Sequence, residues 1–91
     1  EYTSSQKELY RLYEEVKKMR DIDEVSENKL DDIFKNLKNN FKEDWLLSLG
    51  LYELALKNNF TIQTALKEHL ENLKSNKSYK NLIENGLHLL S

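Results

Sequence analysis

Asp44-Trp45-Leu46-Leu47-Ser48-Leu49-Gly50-Leu51-Tyr52-Glu53-Leu54-Ala55-Leu56-Lys57 is the most apolar stretch of the chain. Wound as a helix, its Trp45, Leu46, Leu47, Leu49, Leu51, Tyr52, Leu54, Ala55 and Leu56 cover most of the circumference. Only Gly50, Glu53 and Lys57 form a consistent polar strip. A helix this apolar is stable in water only when neighbours cover it on two or three sides. The rest of the chain is therefore expected to wrap around it. Glu43 and Asp44 suit its positive N-terminal pole, and Asn58-Asn59 mark its stop.

The flanking segments carry the one-sided patterns such wrapping needs. Before the central stretch, residues 26–37 place Leu30, Ile33, Phe34 and Leu37 on one face, with Ser26 as N-cap and Glu27 in the first turn. Asn39-Asn40 are expected to stop that helix, because asparagine tolerates the left-handed backbone that ends helices. Residues 5–20 place Leu9, Leu12, Tyr13, Val16 and Met19 at steps of three and four. Ser5 and Glu8 have capping-box spacing, and Lys17, Lys18 and Arg20 suit the negative pole. Asp21-Ile22-Asp23 is expected to break that helix. After the central stretch, residues 61–74 turn Ile62, Ala65, Leu66, His69, Leu70 and Leu73 one way, with Thr61 as the expected cap. Residues 78–90 line up Tyr79, Leu82, Ile83, Gly86, Leu87 and Leu90. Gly86 on that face lets a neighbouring helix come close, at a cost in helix propensity of about 1 kcal/mol.

Composition agrees with helix throughout. Proline is absent, glycine occurs only at positions 50 and 86, and leucine, lysine and glutamate dominate. The connections, about two to seven residues long, bring successive helices back alongside one another. The predicted fold is all-α: a small bundle of four to five antiparallel helices forming a single domain over residues 1–91. Its stability is expected at roughly 5–12 kcal/mol on the per-residue rule. The chain opens on Glu1 rather than methionine, which fits a processed or excised piece of a longer protein.

The same composition excludes several functions. Without cysteine there is no disulfide scaffold, thiol nucleophile or thiolate metal site. That absence is compatible with the cytoplasm, the expected compartment. Fourteen basic and 16 acidic residues are well mixed, with a net charge of −2, so no nucleic-acid footprint and no membrane-binding patch is present. The densest basic run, Lys17-Lys18-Met19-Arg20, is accounted for by a helix C-terminus. No apolar run is long enough to span a bilayer, and two glycines cannot build a phosphate-cradling loop.

Candidate chemistry is equally sparse. His69 and His88 fall on different helices and lack the i, i+4 pairing of a helical metal site. Asp31-Asp32 and Glu43-Asp44 sit near expected helix starts, where they serve as dipole partners rather than acid–base pairs. The aromatic residues are the more informative set. Tyr2 and Tyr10 fall off the stripe of the first segment, and Phe41 and Phe60 lie at helix junctions, placed either to plug the core or to dock a partner. Trp45 and Tyr52 have tetratricopeptide spacing, but Leu49 stands at that signature's glycine and Thr61 at its alanine.

One family resemblance spans nearly the whole chain. It is carried by Leu30-Asp31-Asp32-Ile33-Phe34-Lys35-Asn36-Leu37, then Phe41-Lys42-Glu43-Asp44-Trp45-Leu46-Leu47-Ser48-Leu49, then Leu51-Tyr52-Glu53-Leu54, and further on by Leu70-Glu71-Asn72-Leu73 and Leu82-Ile83-Glu84-Asn85-Gly86-Leu87. These stretches resemble the tail of long-form bacterial phenylalanine-4-hydroxylases of the Bacteroidetes type, in the aromatic amino acid hydroxylase family. The sequence departs from that pattern at Lys42, where a proline is expected, and at Gly50, where an acidic residue is expected. The resemblance implies a non-catalytic accessory domain for assembly or regulation. Its partner would be the parent catalytic domain or a second copy of itself. Non-haem iron and tetrahydropterin would belong to the parent enzyme, a phenylalanine 4-monooxygenase, and no cofactor, metal or catalytic residue is expected in this stretch. Phe41, Trp45, Leu49 and Tyr52 are the candidate protein-contact residues, placed to serve either the core or a contact. The competing expectation is a free-standing, tetratricopeptide-like helical adaptor that grips a peptide or protein partner.

Overall fold

Asp44 fixes where the central helix begins. Its carboxylate accepts the Leu47 N–H at 2.9 Å, and its carbonyl accepts the hydroxyl of the buried Ser48 at 2.8 Å. The computed structural model describes residues 3–90, which form five α-helices: α1 (Ser4–Arg20), α2 (Glu27–Asn40), α3 (Trp45–Lys57), α4 (Gln63–Leu73) and α5 (Lys77–Leu90). The all-α bundle expected from the sequence is the observed fold. Helix α3 packs against each of the other four, as its all-round apolar surface requires. The molecule measures 37 × 32 × 19 Å. With helices about 10 Å across, that is a slab two helices thick.

The end of α3 follows from Asn58-Asn59 as expected. Asn59 takes the left-handed conformation with φ of 56°. Its N–H donates to the Leu56 carbonyl at 3.1 Å, and the Phe60 N–H reaches back to the Ala55 carbonyl at 2.9 Å. This pair of bonds is the Schellman arrangement, and it satisfies carbonyls the helix would otherwise leave open.

Four local expectations are corrected. The capping box of α1 is Thr3 with Gln6, not Ser5 with Glu8. Thr3 Oγ1 accepts the Gln6 N–H at 3.1 Å and Gln6 Oε1 accepts the Thr3 N–H at 2.9 Å. Both pairs have the required spacing, and the earlier one also gains additional helix; Glu8 pairs instead with Arg11. Helix α2 runs through Asn39 and Asn40 and ends at Phe41. Neither asparagine adopts positive φ, and Asn40 bonds along the helix to Asn36 at 2.8 Å. Thr61 does not cap α4. Its N–H and hydroxyl both donate to Glu27 Oε2, at 3.1 and 3.2 Å, tying the turn before α4 to the start of α2. Helix α5 starts one residue early, at Lys77, with Asn76 Oδ1 accepting the Ser78 N–H at 2.9 Å. Tyr2 lies outside the described residues.

The core draws on every helix. Leu12, Val16 and Met19 of α1 and the whole predicted stripe of α2 are buried. They meet Leu47, Leu51, Leu54 and Ala55 of α3, Leu66 and Leu70 of α4, and Ile83 of α5. Two residues assigned to inward faces are exposed: Ala65, and Leu82 at 46%. Among the described residues of α5, Ile83 is the one fully buried side chain. Helix α5 therefore lies at the margin of the core, and that position shapes the surface described next.

Candidate protein-contact site

The surface feature that best fits protein contact is an open groove of about 670 Å³ between α1, α3 and α5. Its floor exists because two glycines allow helices to approach. A Cβ on Gly50 would lie 3.2 Å from Val16 Cγ1, and one on Gly86 would lie 2.6 Å from Leu49 Cδ1. The close approach expected at Gly86 is thus made by Leu49 of α3. Above this floor stand Leu46, 55% exposed, and Leu89, 83% exposed, with Leu90 between helix and core. The rim is charged: Glu14, Lys17 and Arg20 come from α1, and Glu53 from α3.

The polar strip of α3 forms the α1 seam of this groove. Arg20 donates through Nε to Glu53 Oε1 at 2.9 Å, with its Nη2 on the same oxygen. Lys57 Nζ reaches the Arg20 carbonyl at 3.5 Å. At the other end of the seam, the Tyr13 hydroxyl donates to Asp44 Oδ1, the same oxygen that caps α3. Burial and this bond, followed by the charge of Asp44, push the Tyr13 phenol well above its ordinary range. One carboxylate therefore starts α3 and anchors α1 to it.

The four residues singled out from the sequence do not assemble into one site. Leu49 is buried in the floor of the groove. Phe41 and Trp45 are half-buried and pack against the core. Tyr52 is buried and borders a separate cavity of about 510 Å³ with Lys67, Glu71 and His88. Leu46 and Leu89 are exposed leucines beside the groove that the sequence did not single out as contact candidates. Leu89 lies seven residues after Leu82, at the edge of its helix's stripe, and both of these edge leucines are exposed. Leu46 carried no signal, because nearly every position around it on α3 is apolar.

His69 has a structural setting. Its Nε2 lies 2.8 Å from the Lys42 carbonyl, which can only accept, so Nε2 carries the proton. The ring meets Phe34 edge-on, with centroids 6.0 Å apart, and Lys38 sits 4.5 Å over that same Phe34 ring. Burial pushes the imidazole below its ordinary pKa of 6.5; the Lys42 bond opposes this and the Lys38 charge adds to it. The folded state thus favours neutral His69. Its contribution to stability is present above pH 6.5 and is lost as the pH falls from there through the lowered value. Urea midpoints taken between about pH 8 and about pH 5.5 are expected to decline, and the decline is expected to shrink in His69→Gln, which keeps an N–H donor but does not titrate. An unchanged slope in that variant contradicts the assignment.

Among the described residues, no three His, Asp or Glu side chains converge to hold a metal ion, and no helix is long and apolar enough to cross a membrane. No protein-family model matches the chain, and no curated protein or solved structure matches it.

Proposed function

We propose that this chain is a non-catalytic helical accessory domain that works by contact with another polypeptide in the cytoplasm. We further propose that its parent is a phenylalanine-4-hydroxylase-like monooxygenase, which it helps to assemble or regulate. The supporting observation is the apolar groove between α1, α3 and α5, with Leu46 and Leu89 projecting beside it. Two large leucines held in water beside an apolar floor are costly to solubility, and a covered partner surface accounts for them. The assignment of the parent rests on the sequence resemblance alone. An adaptor of the tetratricopeptide kind would use a concavity bordered by Tyr10, Asn39 and the polar faces of α2 and α4, whereas the groove lies across α1, α3 and α5.

The test begins with the coding sequence upstream of Glu1. A hydroxylase domain carrying a two-histidine, one-glutamate iron motif is expected there. Deleting residues 1–91 from that protein is then expected to change its subunit assembly or its phenylalanine turnover. An upstream sequence without such a domain contradicts the parentage. A full-length enzyme unaffected in both assembly and turnover contradicts the accessory role.

A further inference from the structure

We propose that the groove is a self-association surface whose occupant is a second copy of this chain, related by a two-fold axis. This deepens the protein-contact reading and rests on it. A two-fold interface must be self-complementary, because the same patch serves both partners. This patch has both halves of such a match. Leu89, 83% exposed, is an apolar knob at the end of α5, and the floor beside it is lined by Val16, Leu49, Gly50 and Gly86.

The rim matches itself in charge as well. Glu14 and Lys17 lie one helical turn apart on α1, at the edge of the groove. Neither makes an ion pair among the described residues, whereas Arg20 and Glu53 on the same rim are already paired. When two α1 helices cross antiparallel about an axis passing between these positions, Glu14 of each copy faces Lys17 of the other. A partner of single-sign surface would leave one of the two unanswered. An interface of standard size takes about 800 Å² from each partner, roughly an eighth of this chain's 6259 Å².

Sedimentation velocity of the 91-residue chain, from about 1 to about 200 µM, tests this. A species of twice the monomer mass is expected to grow in with concentration. Leu89→Glu is expected to weaken the dimer by about ten-fold or more, since it puts a charge at an apolar contact. Leu89 is exposed, so that variant is expected to fold, which circular dichroism checks. Glu14→Lys and Lys17→Glu are each expected to weaken it by about two- to five-fold, and the double exchange to restore it. A monomer at every concentration overturns the proposal, as does a dimer indifferent to Leu89→Glu. If the chain stays monomeric yet a hydroxylase catalytic domain binds it through Leu46 and Leu89, self-association is wrong and the protein-contact reading stands. If neither association occurs, both are wrong.

Discussion

Leu51→Ala is expected to lower the free energy of unfolding by about 2–5 kcal/mol, the range for truncating a buried leucine. Leu51 is fully buried on α3, the helix that contacts all four others. Removing its side chain leaves a void that the surrounding elements cannot all collapse into at once, because each is held by further contacts. Against a total of roughly 5–12 kcal/mol, the loss is enough to leave part of the population unfolded at physiological temperature. Leu46→Ala, one turn and a half earlier on the same helix, removes the same atoms from a side chain that is 55% exposed. It is expected to change stability by no more than about 0.5 kcal/mol. Urea denaturation of the two variants checks the contrast. Equal losses would mean that α3 is not the covered centre of the bundle.

Asp44→Ala carries the second large effect, an expected loss of about 2–3 kcal/mol. About 1 kcal/mol comes from removing the N-cap acceptor of the Leu47 N–H, and the remainder from leaving the half-buried Tyr13 hydroxyl without its acceptor. Asp44→Asn, which keeps a side-chain oxygen, is expected to lose less. Because one oxygen serves both donors, Tyr13→Phe and Asp44→Ala are expected to be non-additive, the double variant costing less than the sum. The pH dependence provides an independent check. The Tyr13 phenol is raised above its unfolded value of 10, so its contribution is fully present below pH 10 and is lost as the pH rises beyond it. Tyr13→Phe is expected to remove that alkaline loss. Additive effects with an unchanged alkaline limb would refute the shared anchor.

Much of this architecture was legible in the residues because it follows from local rules. The stripe Leu30, Ile33, Phe34 and Leu37 is buried as a unit, since a single helical face has one way to meet a core. Asp44 caps α3, and Asn59 ends it, because both act within three or four residues of themselves. Where two local signals competed, the spacing alone did not choose between them. Thr3–Gln6 and Ser5–Glu8 both satisfy the capping-box pattern, and Asn40 and Asn59 are both asparagines near helix ends. At Asn40 the helix continues, and Phe41 packs back on the core to end it.

The groove was less legible for a different reason. Exposure of a leucine is a property of where neighbouring helices stop, not of its own helix. The sequence left Phe41, Trp45 and Tyr52 open to core or contact, and each lies within reach of the core and is drawn into it. Leu46 and Leu89 remain outside because α5 lies at the margin, covering one side of α3 without closing over its start. Gly86 was recognisable as a point of close approach. That Leu49 is the side chain received there, and that it becomes the floor of a groove, required the packed structure.

The central claim is that the α1–α3–α5 groove is the surface through which this chain acts. Leucine-methyl NMR of the 91-residue chain tests it most directly, with spectra taken as its own concentration is raised and as a hydroxylase catalytic domain is added. The expected result is that the Leu46, Leu49, Leu89 and Leu90 methyl signals shift or broaden, while Leu30, Leu37 and Leu66, buried away from the groove, do not. Perturbation confined to α2 and α4, or none under either condition, would contradict the account.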